Sequence, residues 1–475
     1  MKITPYSTVA FAFVMCAMFA TSCANDVETD INIDPVGNAI SFSPSVGHTS
    51  RATETKIGNL GDFAVVARGM HHDGVLYDAY LIGSENAGEI AKRESLDSED
   101  KGIWKLSRKV YWPSTLNKVL FFAYTALKQS DTYTDSNVLG IYADGTKPSF
   151  GFVGDMPFIN SYKPLKTTQI ENNIKADGKN QRDLLVAYTQ QEKKQSETNV
   201  TLNFEHALTQ VSITAMQENK TDNRIVKIKG AWIVNVAESG NLTTTETKDK
   251  TDFTITYSKS WVGSGKTAYG TVWSDEIKLD GSTAKDILRQ HSLMLIPEDL
   301  KAWDFEKAWD SENDKENTTD NGAYIMLLCR VELEHDGATH EGNTNIEDIY
   351  VDEANSKHYH QLFPVNVNTF DATEYGFACV PLSSVWNTDG IGKHYTYKLN
   401  ICGNGTGAGK YPPTMTSDEI NALVPPELGI KVVTNNNKVT GKHPGDNVLD
   451  EPIQFTVTVE GWTEQENWTN GVGSI

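Results

Sequence analysis

Period-two alternation of apolar and polar residues restricts this chain more than any other feature. Val200-Thr201-Leu202-Asn203-Phe204 and Tyr395-Thr396-Tyr397-Lys398-Leu399-Asn400-Ile401 alternate, and Ile453-Gln454-Phe455-Thr456-Val457-Thr458-Val459 does so most regularly. Successive side chains of an extended chain point to opposite faces, so such runs bury one face and wet the other. Further strand candidates are Ile40–Ser43, Phe63–Ala67, Val119–Tyr124, Leu184–Tyr188, Val211–Ala215, Val226–Val236, Leu293–Ile296, Tyr324–Glu332 and Phe377–Pro381. Helical spacing is scarce, and is clearest over Ala284–Arg289 and Asp418–Val424. Many short strands with turn residues between them predict an all-β protein of β-sandwich domains with few short helices. Long polar connections at 127–150, 238–260, 304–322 and 403–428 separate the strands. Loops of such length in a compact domain are usually functional or mobile.

The chain begins as an export signal. Lys2 precedes an apolar run from Val9 to Ala20, and the small residues Thr21 and Ser22 lead to Cys23. The run is too short to span a bilayer as a helix and has the parts of a secretory signal over 1–22. Ala20-Thr21-Ser22-Cys23 resembles the lipobox of bacterial lipoproteins, in which the cysteine is acylated and the signal is cut before it. The alternative is an ordinary secreted protein with Cys23 near the cut by chance. Residues 23–39, with Asp26, Glu28, Asp30 and Asp34, read as an acidic tether. Nothing after Cys23 is apolar for long enough to cross a membrane as a helix.

Loss of the signal removes Lys2 and takes the formal charge from −21 to −22. That sign disfavours nucleic acid and anionic lipid surfaces as partners. The 453 remaining residues (475 less 22) suggest two or three domains. The polar stretch 217–223 is the expected boundary, giving independently folding units at 40–217 and 223–462 and a polar tail at 463–475. Cys329, Cys379 and Cys402 lie in or beside strand-like runs and read as buried thiols rather than disulfide partners.

Motifs for chemistry are weak. Gly403–Lys410 is glycine-rich, but Asn404 stands where a phosphate loop has its first glycine, and Tyr411-Pro412-Pro413 replaces the hydroxyl residue and helix start. It reads as a flexible loop between strands. His71-His72-Asp73 and His358-Tyr359-His360 each lack an obvious third ligand and read as surface histidines, so no metal is expected. The acidic run Asp310–Glu316 lacks the glycine and terminal glutamate of a calcium loop. No nucleophile elbow or His-Glu-x-x-His pair occurs. Trp104, Trp112, Trp232, Trp386 and Trp462 read as core or hairpin packing rather than a sugar platform. No enzyme activity and no cofactor are expected.

Four ordered blocks carry a resemblance. Val200-Thr201-Leu202-Asn203-Phe204-Glu205-His206-Ala207-Leu208 resembles the Leu-x-Phe-x-His-Ala-Leu signature of fimbrillin-family lipoproteins. Tyr111-Trp112-Pro113 with Val119–Tyr124 is similar to that family's Trp-Pro strand pair. Val380-Pro381-Leu382 and Trp386, then Gly392–Leu399, is similar to its Trp-x-x-Gly-Lys-x-Tyr-x-Tyr block, with a longer gap here after Trp386. Phe455–Trp462 matches the family ending. His206 within the first block reads as a hydrogen-bonded structural residue.

The resemblance implies two tandem β-sandwich domains of the transthyretin-like, Greek-key type. It implies a structural subunit (stalk, anchor or tip) of surface fimbriae that mediates adhesion, exported as an outer-membrane lipoprotein anchored through Cys23. Its partners would be other fimbrial subunits and a host or bacterial surface ligand. In that family a protease cuts after an arginine beyond the first strand, and the freed subunit accepts a donor strand from a neighbour. Arg51, followed by Ala52, is the first arginine in the chain and is the candidate maturation site. The first strand is expected at a sheet edge. Ile453, Phe455, Val457 and Val459 are the inward residues of a candidate donor strand, or of a permanent strand of their own domain. The competing reading is a monomeric surface glycan-binding lipoprotein.

Overall fold

The computed structural model describes residues 39–46, 60–71, 73–96, 102–116, 118–125, 148–181, 183–192, 199–218, 223–248, 255–317, 322–336, 349–352, 357–365, 371–382, 390–434 and 441–461. These form an almost entirely β structure, as the alternation predicts. The first strands are β1 (Ser41–Val46), β2 (Phe63–Met70), β3 (Leu76–Ile82), β4 (Glu89–Leu96), β5 (Gly102–Leu106), β6 (Lys118–Thr125), β7 (Ser149–Val153), β8 (Met156–Tyr162) and β9 (Ile174–Ala176). A single helical turn, α1 (Asp177–Asn180), leads to β10 (Leu185–Glu192), β11 (Asn199–His206), β12 (Thr209–Met216), β13 (Arg224–Val236), β14 (Ser239–Lys248), β15 (Ile255–Ser264) and β16 (Thr267–Leu279). Then come β17 (Lys285–Asp286), β18 (Leu293–Leu295), β19 (Trp309–Asp310), β20 (Lys315–Glu316), β21 (Tyr324–Asp336), β22 (Ile349–Asp352), β23 (Lys357–Phe363), β24 (Glu374–Pro381) and β25 (Lys393–Asn400). Helix α2 (Ser417–Leu423), β26 (Lys431–Val433) and β27 (Gln454–Gly461) complete the order.

The first unit is a sheet that closes on itself, in the order β2-β4-β5-β1-β11-β10-β6 and back to β2, with β3 added on β2. Inside it pack Phe42, Phe63, Val65, Trp104, Phe121, Ala123, Leu185, Leu202 and Phe204. Part of its outer face is covered by the four-stranded sheet β15-β14-β8-β7. There Ala64, Val66, Leu120, Phe122, Tyr124 and Val186 meet Phe150, Ile159, Leu242 and Trp261. This explains two kinds of strand in the sequence. β6 is buried on both faces and reads as the unbroken run Val119–Tyr124. β11 is covered on one face only and alternates between buried Val200, Leu202, Phe204 and exposed Thr201, Asn203, Glu205.

The second unit is a sandwich of β17/β18-β12-β25-β27 on a long sheet, β22-β23-β21-β13-β16-β9, to which β24 and β26 add. Its core holds Ile213, Ile228, Trp273, Ile325, Leu327, Tyr395, Tyr397 and Leu399. The far face of the long sheet is covered by Trp303 and by Ile420 of α2. That helix matches the predicted 418–424 segment and starts with a capping box between Thr416 and Glu419. The helix predicted over 284–289 is instead the short strand β17 and a turn, where the Asp286 carboxylate accepts from the Leu288 and Gln290 amides.

The polar stretch 217–223 does not divide these layers. β12, before it, is a central strand of the second sandwich, pairing in parallel with β25. β14 and β15, after it, cover the first unit through β8, and β9 pairs with β16. Polarity marks a turn, but the choice of partner strand is not written in composition.

Three connections expected to be plain loops are ordered. Residues 239–248 and 255–264 are the paired strands β14 and β15. Asp310–Glu316 is a two-residue β19–β20 pairing whose Asp310 carboxylate accepts from the Glu312 and Asn313 amides. The glycine-rich loop 403–410 is packed rather than flexible. Its amides are already used: Gly403 donates to Thr406 Oγ1 (2.7 Å), Asn404 to the Glu218 carbonyl (3.0 Å) and Lys410 to the Cys379 carbonyl (2.9 Å). A Cβ on Gly407 would overlap the Glu451 carbonyl. Cys329, Cys379 and Cys402 are buried free thiols, as expected, and burial pushes the thiols of Cys329 and Cys379 upward.

Candidate functional site

The N-terminal strand builds the candidate site. β1 is not at an edge: it lies between β11 and β5 in the wall of the closed sheet. It runs parallel to β11 over six positions, from Ser41 opposite Asn199 to Val46 opposite Phe204. Ladder pairing with β5 is limited, among the described residues, to Phe42 opposite Trp104. One further main-chain bond, from the Ile40 amide to the Val110 carbonyl (2.7 Å), holds its start.

Its side chains alternate as a strand in such a wall must. Ile40 and Phe42 are buried, and Phe42 meets Phe63 and Phe121 edge-on at 6.0 and 6.1 Å. Burial of these two side chains stabilises the strand by on the order of 3–6 kcal/mol. Ser41, Ser43 and Ser45 point outward beside a polar row on β11. Ser41 Oγ donates to Asn199 Oδ1 (3.2 Å), Asn199 Nδ2 donates to Ser43 Oγ, and Ser45 Oγ donates to Asn203 Oδ1 (2.5 Å). Pro44 lies mid-strand and has no amide to give the ladder. Thus β1 presents an apolar face inward and a polar face outward, is paired along its length with β11, and is paired on its β5 side at one residue only among the described residues.

Among the predicted site residues, Cys23, Arg51 and Ala52 lie outside the described residues, as do Trp386, Trp462 and His72. Ile453, Phe455, Val457 and Val459 lie at and along β27, which among the described residues is the edge strand of its sheet in the second sandwich, paired with β25 alone. Ile453 is buried, Phe455 and Val457 are half-buried against the core, and Val459 is 43 % exposed. β27 therefore loses cover progressively toward the C-terminal end. Its inward residues have the same every-second spacing as Ile40, Phe42 and Pro44.

Trp104, Trp112 and Trp232 are core residues. Trp104 donates its indole N–H to the Gly61 carbonyl (2.9 Å). His206 ends β11 with Nδ1 2.6 Å from Asp183 Oδ2, both side chains buried. This matches its expected structural role. His71 stacks on Tyr77, 3.7 Å between ring centroids. His358 and His360 are joined by a third histidine that their sequence does not show beside them, because β21 brings His335 close enough that one ring nitrogen from each lies within 4.8 Å of the others.

The sequence matches the profile of the fimbrillin-like family over residues 78–320, more than half of the 475-residue chain. The chain belongs to the fimbrillin-like family. A fimbrial protein of Bacteroides vulgatus is similar in structure at 14 % identity, covering 90 % of this chain and 100 % of that one, with a TM-score of 0.45. The fimbrial anchor protein Mfa2 of Porphyromonas gingivalis is similar at 9 % identity, covering 77 % of this chain and 91 % of that one, with a TM-score of 0.23. No curated protein sequence matches the chain. Residues 78–320 run from within β3 to a point just before β21, so the matched region includes β11, which pairs with β1, but excludes both β1 and β27.

Proposed function

We propose that this fimbrillin-like protein is a structural subunit of surface fimbriae, made as a precursor whose β1 strand is a removable plug. The observation that carries this reading is the setting of β1. A segment that would end a few residues before Arg51 fills a slot between β11 and β5, apolar side inward, with few bonds on the β5 side. Cleavage after Arg51 would sever it from the rest of the chain. Its departure would leave unpaired main-chain groups on β11 and an apolar opening over Phe63 and Phe121. Such an open edge is a template for another chain's strand.

β27 is the donor that fits. It is an edge strand, ends near the C-terminus, and offers Ile453, Phe455, Val457 and Val459 at alternate positions. A neighbouring subunit's β27 would replace β1 along β11, and repetition of that exchange would build a polymer. Acylation of Cys23 would hold the precursor at the outer membrane until β1, tether and lipid leave together. The role is structural and adhesive rather than catalytic, and the partners are other subunits and a surface ligand.

Substitution of Arg51 by Ala tests the maturation step. The variant should fold as the wild type does and accumulate as uncut, membrane-bound precursor without surface polymer. Normal polymers in that strain would overturn the proposal. Cys23→Ser should separately release the precursor from the membrane fraction, and unchanged fractionation would remove the lipid anchor from the account.

A further inference from the structure

We propose that His335, His358 and His360 form a zinc site. Register brings them together. His335 of β21 stands directly opposite His358 of β23, and His360, two residues along β23, stands opposite Leu333. Residues two apart on a strand share a face, and so do directly opposed residues of an antiparallel pair. All three imidazoles therefore project from one face of the long sheet. Their rings lie 4.9 Å (His335–His358), 4.9 Å (His335–His360) and 5.4 Å (His358–His360) apart between centroids. One nitrogen from each falls within 4.8 Å of the others.

The chemistry of this donor set is specific. Three imidazoles with no carboxylate or thiolate among the described residues of the cluster suit a borderline divalent ion, and zinc takes such a set with a fourth position left open. A tetrahedral ion with Zn–N bonds of about 2.0–2.1 Å needs its nitrogens about 3.3 Å apart. Rotation of the imidazoles on the paired strands β21 and β23 would have to close that gap. His358 is 4 % exposed while His335 and His360 are half-buried. One side of the site is thus enclosed by protein and another is open. The flanking residues Glu334, Asp336 and Tyr359 fall on the opposite face by alternation, and Lys357 there pairs with Glu334 (2.5 Å). Among the described residues no fourth donor joins the three imidazoles, which leaves that position to water or another group.

The ion would fasten β23 to β21 near the β22 edge of the long sheet. Because binding requires the paired strands, zinc would favour the folded state.

The test uses the full mature chain without a polyhistidine tag, stripped with chelator, loaded with zinc chloride and freed of excess by gel filtration. Bound metal is read by mass spectrometry, and cobalt(II) is loaded in parallel for its visible spectrum. One equivalent of zinc, and the intense visible bands of low-symmetry cobalt, are expected for the wild type. His335→Gln and His360→Gln should each weaken zinc binding by at least about 100-fold, while His71→Gln should leave it unchanged. Both ligand positions are half-buried, so these variants should keep the far-ultraviolet circular dichroism of the parent even if His358→Gln does not. Failure of the wild type to retain zinc, or equal retention by both ligand variants, would overturn the proposal.

Discussion

At the scale of single residues, Phe42 and His394 make the account quantitative. Phe42 fills the interior of the closed sheet against Phe63 and Phe121. Truncation to Ala leaves a cavity there and should cost the uncut precursor about 3–5 kcal/mol, read as a lower midpoint in urea. An unchanged midpoint would mean that β1 does not stabilise the precursor. His394 of β25 reaches across to β12, with Nε2 2.8 Å from Ser212 Oγ, and burial lowers its pKa to about 4. The unfolded chain binds this proton from about pH 6.5 downward, whereas the folded chain does so only near pH 4. Over that window the unfolded state holds more protons, so stability falls as pH drops from about 6.5 to about 4. His394→Gln should flatten that part of the stability curve, and an identical pH profile would contradict the assignment. Legibility at this scale is uneven. The alternation around His206 marks it as the end of a strand, and its partner Asp183 supplies the expected hydrogen bond. His335 went unpaired with the His358–His360 doublet in sequence, because it lies more than twenty residues upstream and only strand register makes them neighbours.

At the scale of elements, the apolar runs predicted strands well where a face is buried. β2, β6, β10, β11, β12, β13, β21, β24, β25 and β27 all contain or overlap a segment picked out by pattern. The β14–β15 hairpin escaped because its outward face is built of Thr243, Thr245 and Thr247, which read as loop by polarity. Threonine is β-branched and fits a pleated surface, and Leu242 and Trp261 supply the buried side. The place of β1 was also hidden. Ile40–Ser43 reads as a strand, but nothing local says that it lies between two others. β27 carries the prediction for this scale. Val457→Asp sits at a half-buried edge position, so the monomer should still fold. Inside an apolar slot on a neighbour the unpaired carboxylate would cost several kcal/mol, and polymer yield should fall at least tenfold when monomers are assembled in vitro. Equal yield would exclude β27 as the donor.

At the scale of the whole molecule, the chain is interleaved rather than divided in tandem. The first unit borrows β14 and β15 from beyond residue 223, and the second takes β9 and β12 from before residue 217. Asp177, next to β9, is buried with its carboxylate accepting from the Thr167 amide (2.9 Å) and the Gly270 amide (3.0 Å), which ties the two parts of the chain together. A fragment of residues 39–218 would leave Leu120, Phe122, Tyr124 and Phe150 without Leu242 and Trp261 over them. It should lack a cooperative thermal transition by calorimetry, whereas a sharp transition would show that the first unit is self-sufficient. Interleaving would suit the proposed loss of one strand without unfolding, because the cover on the outer face comes from β14, β15, β8 and β7 rather than from β1. That tolerance is the central claim, and one comparison measures it directly. Protein beginning at Ala52 and protein beginning at Cys23 are purified, concentrated alike and run unheated on a denaturing gel. A ladder of multimers from the shorter form alone is the predicted result, and monomer from both, or a ladder from both, would contradict it.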